Sequence, residues 1–279
     1  MKGILVVDKP QGYTSRDVVN VVSKTLHERR VGHTGTLDPI ATGVLVLCIG
    51  KYTKLVDRLT SLDKEYIAEI KLGLETDTLD ITGHILKKQD FLVTKAQVLK
   101  TFSKFVGEYT MEVPKYSAIK VKGKKLYEYA RKDIEVELPV KKVQIYEVEL
   151  LSFEQDTITF RCRVEKGTYI RSLIRDICKD LGTIGTMSRL IRTKQGVFKL
   201  EQAFSLNDVK NNRYKLLQVQ DVFDIPQYIL SDEEYHKVKN GNAMSFDSKS
   251  GELLLMYQNQ EIAIYEKKDD LYKPEIMLI

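Results

Sequence analysis

Residues 64–72 read KEYIAEIKL, and this stretch decides the class of fold. Apolar and polar side chains alternate along it, which places Tyr66, Ala68, Ile70 and Leu72 on one side of a half-buried β-strand. Short apolar runs predict further strands at residues 4–7, 44–49 and 143–164. Because these strands are mixed with isolated helices and do not alternate with them one by one, the sequence predicts an α+β fold.

The helices are predicted from apolar residues at helical spacing and from residues that begin or end a helix. Ser15 is the expected N-cap of the first helix, and a later helix is expected to begin at Thr168 and to end at Gly182. Arg171, Arg175 and Lys179 lie four residues apart in that later helix, which predicts a basic stripe beside its apolar face. The other predicted helices cover residues 94–105 and 126–131.

The composition is that of an ordinary globular protein. The 279 residues are 43% hydrophobic and 30% charged, which excludes a disordered chain. No apolar stretch reaches the roughly 18 residues of a membrane span, and the N-terminal apolar run is expected to be a first strand and not a secretory signal. We therefore expect a cytoplasmic protein. Cys48, Cys162 and Cys178 lack paired spacing, so we expect reduced cysteines in the core and no metal site.

The positive charge of the chain is concentrated in two segments. Residues 115–142 carry nine Lys or Arg against four acidic residues, residues 161–215 carry thirteen against five, and residues 216–279 carry six against twelve. Such clustering indicates a polyanionic ligand that both basic segments contact in the fold. The alternative is that the two segments form ordinary solvated faces.

Residues 31–43 are predicted to form a loop, because glycines interrupt them and no apolar period fits. The loop lacks the Gly-Lys-Ser/Thr ending of a phosphate-binding loop, so nucleotide hydrolysis is not indicated. Asp38 precedes Pro39, and on spacing alone Asp38 is either a functional carboxylate or the N-cap of a helix whose first residue is proline. His33 is likewise either a functional residue or a hydrogen-bonded loop residue.

Several motifs, in order, resemble one known family. Residues 9–15 (KPQGYTS) and residues 32–43 (GHTGTLDPIATG) resemble the paired N-terminal motifs of the TruB family, the tRNA pseudouridine-55 synthases. Further matches follow at residues 64–68, 76–83, 114–131, 166–171 and 189–190. The resemblance covers about residues 2–200. One departure is that the family usually has Gln-x-Pro-Pro before its Tyr-Ser-Ala motif, where this chain has Met111-Glu112-Val113-Pro114.

The resemblance implies a fold and a domain organisation. It predicts a pseudouridine synthase fold, with a central, mostly antiparallel sheet, flanking helices and an RNA-gripping insertion. The catalytic domain is expected over residues 1–221, with the insertion at about 113–142. Residues 222–279, where short alternating runs follow an Asp-Ile-Pro link, are expected to form a small PUA-like β domain.

The resemblance also implies a reaction and its catalyst. A tRNA pseudouridine synthase converts the T-loop uridine to pseudouridine after flipping it out of its stack, and needs no cofactor because no atom is lost and no electron is exchanged. Asp38 is the implied catalytic carboxylate, acting either as nucleophile at C1′ or as base on the neighbouring sugar carbon. Arg171 is its implied counter-ion, and Tyr66 is expected to stack on the displaced uracil and assist proton removal.

The remaining implied contacts are with the substrate. Tyr169 and Leu190 would complete the pocket, Lys9 and Pro10 would support Tyr66 from beneath, and His33 would hold the flipped RNA loop. The phosphates of the T-arm stem-loop would be bound by Lys120, Lys122, Lys124 and Lys125. The expected protein is a monomer without an obligatory protein partner. Two alternatives stay open: a synthase acting on another RNA, such as a guide-dependent ribosomal enzyme, and a catalytically silent RNA-binding protein that helps tRNA fold.

Overall fold

A computed structural model describes the whole chain, residues Met1–Ile279. The strands are β1 (Gly3–Lys9), β2 (Val31–His33), β3 (Thr42–Ile49), β4 (Lys64–Leu72), β5 (Leu74–Thr76), β6 (Ile85–Lys88), β7 (Gly107–Glu112), β8 (Lys120–Val121), β9 (Lys124–Lys125), β10 (Val140–Glu154), β11 (Thr157–Val164), β12 (Gly185–Gln195), β13 (Phe198–Lys199), β14 (Gln227–Ile229), β15 (Glu252–Tyr257), β16 (Gln260–Lys268) and β17 (Leu271–Met277). The α-helices are α1 (Ser15–Thr25), α2 (Val56–Thr60), α3 (Lys95–Phe105), α4 (Leu126–Ala130), α5 (Ile170–Asp180), α6 (Leu206–Lys210) and α7 (Asp232–Lys239).

The chain divides into two compact units. The first unit consists of residues 1–37, 45–60 and 201–279, and the second of residues 38–44 and 61–200. This division differs from the predicted catalytic and C-terminal domains, whose boundary near residue 221 stays a prediction.

The second unit is built on a mostly antiparallel sheet. Its strands lie in the order β12, β4, β11, β10 and β7, and each pairs antiparallel with its neighbour. β4 has the predicted bounds, and its residues alternate between buried and half-buried positions along its whole length. The first residues of β3 pair in parallel with β12. The predicted α+β class with a central sheet is confirmed.

The first unit holds two hydrophobic cores. One lies between β1, β3 and helices α1 and α6, where apolar side chains of the strands pack against Val18, Val22 and Val209. The other lies in the four-stranded sheet of β14 to β17, which packs against α7 around Tyr265 and Tyr272. A sheet over residues 227–277 agrees with the predicted C-terminal β structure.

Three local predictions are wrong. The N-cap of α1 is Thr14 and not Ser15, because Thr14 and Asp17 form a reciprocal capping box while the hydroxyl of Ser15 accepts a hydrogen bond from the buried backbone N–H of Leu37 (2.8 Å). Residues 31–33 are a strand and not a loop, since their backbone pairs with β3. Helix α5 begins at Ile170 and not at Thr168, with Tyr169 as its N-cap. Gly182 follows its last turn with φ +74°, as predicted.

No helix of the structure combines the length and the apolar character that a membrane-spanning helix requires.

Candidate active site

Asp38 lies in a turn between β2 and β3. Residues 38–41 are not helical, and the N–H of Ala41 donates to the Asp38 carbonyl at 3.0 Å to close the turn. The alternative role of Asp38 as a helix N-cap is therefore wrong. Its side chain keeps 32% of its surface exposed, so one side of the carboxylate is open to a ligand.

Arg171 binds both oxygens of the Asp38 carboxylate. Its Nε lies 2.9 Å from Oδ2, and its Nη2 donates to Oδ1 at 3.1 Å. The same guanidinium donates to the backbone carbonyls of Thr78 (2.9 Å) and Tyr116 (3.0 Å). Only 5% of the Arg171 side chain is exposed, so the predicted basic stripe on α5 is wrong for this residue. The fork of the guanidinium fixes the orientation of the carboxylate, as bidentate arginine pairs do.

Tyr66 lies on β4, directly opposite Cys162 on one side and Arg192 on the other. Burial raises the pKa of its hydroxyl, and the nearby Asp38 carboxylate adds to this rise, while the charge of Arg192 and a hydrogen bond with it oppose it. The net result is a phenol that stays protonated at neutral pH. The structure thus brings Tyr66 and Asp38, which are 28 positions apart in the sequence, into electrostatic contact.

Arg192 is a site residue that the sequence reasoning did not single out. It is almost fully buried, and its Nε donates to the carbonyl of Val44 at 2.6 Å. A signal for it exists in the sequence: Arg192 is two residues from Leu190 on a strand, so the two side chains share one face, and an arginine on a buried face needs a specific partner.

Gly43 permits β3 and β12 to approach closely beside the site. A Cβ atom at this position would lie 2.3 Å from the carbonyl oxygen of Arg192, and the residue has φ +100°. Only glycine combines this backbone conformation with this approach. The turn that carries Asp38 is thereby joined to the strand that carries Arg192.

Tyr169 and Leu190 also lie in the second unit. Burial is the main cause that raises the pKa of Tyr169, and the Asp38 carboxylate raises it further, whereas the Ser117 hydroxyl and the Arg171 charge lower it. Leu190 is buried and pairs with Ala68 across β4 and β12. Asp38, Arg171 and Tyr169 are therefore within electrostatic reach of one another.

Lys9, Pro10 and His33 belong to the first unit. The Lys9 side chain is fully buried, and its Nζ donates to the carbonyls of Pro10 (2.9 Å) and Tyr13 (2.6 Å). His33 is half-buried at the end of β2, where its Nδ1 accepts a hydrogen bond from the Gly35 N–H at 3.4 Å. The roles predicted for these residues in supporting Tyr66 and holding RNA stay predictions.

The four lysines predicted to bind phosphates lie on one hairpin. Strands β8 and β9 pair Lys120 with Lys125, and the turn between them contains Lys122 and Gly123, both with positive φ. Lys120, Lys122 and Lys124 are exposed, and Lys125 is half-buried with its Nζ over the ring of Tyr127. Like charges directly opposite each other destabilise a strand pair. An anionic ligand would therefore stabilise this hairpin by reducing the repulsion between its lysines.

The cysteines and carboxylates show no metal site. Cys48, Cys162 and Cys178 are buried and form no disulfide, and burial raises the pKa of Cys48 and of Cys178 to about 12. These thiols are therefore unreactive at neutral pH. No group of three or more His, Cys, Asp or Glu side chains is arranged to hold a metal ion.

Known proteins resemble the chain in both sequence and structure. Residues 23–170 match the family model described as TruB family pseudouridylate synthase (N terminal domain). A tRNA pseudouridine synthase B of Caldicellulosiruptor saccharolyticus is 42% identical over 245 residues, which span 88% of this chain and 84% of that protein. One from Lactobacillus acidophilus is 38% identical and is matched over 100% of this chain and 99% of that protein.

Among solved structures, the chain is similar to one in the crystal structure of a Cbf5-Nop10-Gar1 complex. The TM-score is 0.73 at 25% identity, with 99% of this chain and 85% of that chain covered. The family match covers the turn that carries Asp38, β4 with Tyr66 and the insertion, and the relatives extend over the C-terminal sheet as well. The chain belongs to the TruB family of pseudouridylate synthases.

Proposed function

We infer that the chain is a tRNA pseudouridine synthase that converts uridine-55 of the T-loop to pseudouridine. The observation that carries this inference is the Asp38 carboxylate, held through both oxygens by the buried Arg171 and placed near the Tyr66 phenol. The names of the curated relatives support tRNA as the substrate. The reaction is an isomerisation: the N1–C1′ bond breaks, a C5–C1′ bond forms, C5 loses a proton and N1 gains one.

Asp38 is the group that starts this reaction. Arg171 fixes the orientation of the carboxylate through both oxygens, and the exposed side of the Asp38 side chain faces the incoming nucleotide. An ionised carboxylate in this position can attack C1′ to form a covalent sugar ester, or it can remove the proton of C2′. In either route the carboxylate of Asp38 reacts with the sugar on the side that Arg171 does not occupy. Arg171 therefore acts by positioning the carboxylate.

Tyr66 offers a ring and a protonated hydroxyl beside Asp38. The pKa of the hydroxyl is raised by burial, so the phenol is neutral when the substrate arrives. Arg192 holds that hydroxyl by a hydrogen bond, and Arg192 is itself held by the hydrogen bond from its Nε to the carbonyl of Val44. We assign to the ring the stacking of the detached uracil, which must rotate before C5 can meet C1′.

The insertion would hold the RNA while the target base is flipped. The hairpin of β8 and β9 concentrates four lysines, with Lys120 opposite Lys125 at the cost of mutual repulsion. Phosphates of a T-arm stem-loop relieve that repulsion, which supports a T-arm substrate and a salt-dependent affinity. The target uridine leaves its stack to enter the pocket, as in other enzymes that act on a base.

The self-contained second unit also supports a protein that acts alone. This unit contains the proposed catalytic residues Asp38, Arg171 and Tyr66 as well as the insertion. Neither a second copy nor another protein is needed to supply these residues. We propose a monomer without an obligatory protein partner that acts in the cytoplasm, where tRNA is processed.

The test is the modification of an unmodified tRNA transcript by the purified protein without cofactor. Pseudouridine is mapped by carbodiimide treatment and primer extension, and the expected result is a single stop in the T-loop that disappears with Asp38→Asn. Tight tRNA binding without modification would instead identify an RNA-binding protein. Modification of ribosomal RNA in place of tRNA would identify a different substrate.

A further inference from the structure

We propose that Ser117 contacts the target nucleotide and that its hydroxyl forms a hydrogen bond to the flipped uridine. The inference rests on the proposed function and adds a substrate-binding residue to it. Ser117 lies between β7 and β8, at the start of the insertion, and only 5% of its surface is exposed. Its carbonyl accepts a hydrogen bond from the N–H of Tyr127 at 3.1 Å, so the backbone that carries the side chain is fixed.

The hydroxyl of Ser117 is buried without a hydrogen bond of normal geometry. The phenol of Tyr169 is the neighbouring polar group, and a hydrogen bond with the serine lowers the tyrosine pKa, but this contact does not reach normal hydrogen-bond geometry. Buried polar atoms in native proteins are nearly always hydrogen-bonded, because leaving one unsatisfied costs free energy. A buried hydroxyl kept in this condition indicates a partner that arrives with the substrate.

A second buried serine shows what a structural hydroxyl looks like in the same unit. Ser172 on α5 is fully buried, and its Oγ donates to the carbonyl of Glu112 at 2.7 Å. Because this hydrogen bond forms within the protein, Ser172 contributes to the stability of the fold. Ser117 has the same chemistry and nearly the same burial, yet its hydroxyl has no protein partner at normal hydrogen-bond geometry.

The surroundings of Ser117 place it at the reaction centre. The preceding residue, Tyr116, accepts a hydrogen bond from Arg171 through its carbonyl (3.0 Å), and the same nitrogen of Arg171 donates to Asp38. The neighbouring phenol of Tyr169 interacts electrostatically with Asp38 and Arg171. A uridine placed with its sugar at Asp38 brings two carbonyls, an N–H and ribose hydroxyls into this region. A serine hydroxyl can donate to either carbonyl, accept from the N–H, and do either with a ribose hydroxyl.

The test compares Ser117→Ala with Ser172→Ala, because the two roles predict opposite effects on stability. Ser117→Ala is expected to lower kcat/KM on a tRNA transcript by about 2- to 15-fold, the equivalent of one neutral hydrogen bond. Without RNA its Tm should equal or exceed that of the wild type, because no protein hydrogen bond is lost. Ser172→Ala should lower Tm. Ser117→Cys keeps the size and replaces the hydroxyl with a weak donor, and it should lower kcat/KM in the same way.

Binding measurements identify the group of the uridine that Ser117 contacts. In an Asp38→Asn background, Ser117→Ala should weaken binding of a T-arm RNA. If the partner is the ribose 2′-hydroxyl, RNA with 2′-deoxyuridine at the target position should show no such weakening, and if it is the base, both RNAs should be weakened alike.

The proposal is overturned if Ser117→Ala lowers Tm as Ser172→Ala does, or if kcat/KM and RNA affinity both stay at their wild-type values. An inactive wild-type protein would instead contradict the proposed function itself.

Discussion

Replacing Arg171 by lysine tests the ion pair that organises the site. Lysine keeps the positive charge but loses the planar fork, so at most one of the contacts to Asp38, at 2.9 and 3.1 Å, is retained. A hydrogen bond between charged groups contributes about 1.5–3 kcal/mol. Because 32% of the Asp38 side chain is exposed, water replaces part of the lost contact. We therefore expect a loss of about 1–2 kcal/mol in transition-state stabilisation, which corresponds to a rate constant lowered by about 5- to 30-fold.

The rate is best followed through the hydrogen on C5, which is released whenever C5 bonds to the sugar. A tRNA transcript labelled with tritium at C5 of its uridines, mixed with excess enzyme, gives the single-turnover rate constant from the tritium set free. RNA affinity is measured in parallel and should change by less than about 3-fold, since Arg171 acts on the carboxylate and is only 5% exposed. Arg171→Ala removes both contacts and should lower the rate by a further order of magnitude.

The matched control is Arg189→Lys. Arg189 forms an ion pair with Glu69 at 3.0 Å, nearly the same length, but 59% of its side chain is exposed. Exposed pairs contribute little, so its rate constant should stay within about 2-fold of the wild type. The reasoning is refuted if Arg171→Lys weakens RNA binding and leaves the rate intact, or if the two lysine variants lose activity equally.

Three further predictions concern stability and RNA binding. Burial, aided by the Arg192 charge, lowers the pKa of Lys64 to about 8, so the charged form of Lys64 destabilises the folded state, and the free energy of unfolding rises by about 3 kcal/mol between about pH 8 and 10.5. In urea unfolding, Lys64→Met should therefore be more stable than the wild type at pH 7, and this advantage should vanish near pH 10.5. A difference that does not depend on pH would contradict this. Replacing both Lys122 and Lys124 by alanine should reduce the slope of log affinity against log salt by about 1–2, with equal slopes arguing against phosphate contacts. Glu261 is buried and accepts hydrogen bonds from the Tyr52 hydroxyl and from two backbone N–H groups. Glu261→Gln should therefore lower the free energy of unfolding by about 1–3 kcal/mol, and an unchanged Tm would show that these contacts contribute nothing.

The sequence predicted the elements whose signal is local. β4 has the predicted bounds because its alternation is uninterrupted over nine residues. β2 was missed because a three-residue strand carries no period, and it exists only through its pairing with β3. Thr14 and Ser15 compete for one capping position, and the capping box with Asp17 decides between them. Short-range patterns do not report such pairings.

The candidate site depends on contacts that spacing does not reveal. Asp38 and Arg171 are 133 positions apart, and only the resemblance indicated that they would form a pair. Helical spacing placed Arg171 on a solvated stripe, whereas its guanidinium meets four acceptors in the interior. Arg192 was overlooked because it sits among other basic residues, although its position on the face of Leu190 marks it as buried.

The ends of the predicted RNA-gripping insertion meet in the sheet. Glu112 on β7 pairs with Val140 on β10, and the next residue, Val113, donates its N–H to the carbonyl of Pro139 at 2.9 Å. The segment between them therefore leaves and rejoins the sheet at a single point, as a side loop does. A gene segment coding for residues 118–138 could be lengthened, shortened or exchanged without shifting the register of the strands, while Tyr116 and Ser117 stay beside Arg171. If the insertion binds RNA as proposed, insertions and deletions there can change substrate recognition while the catalytic sheet stays under separate constraint.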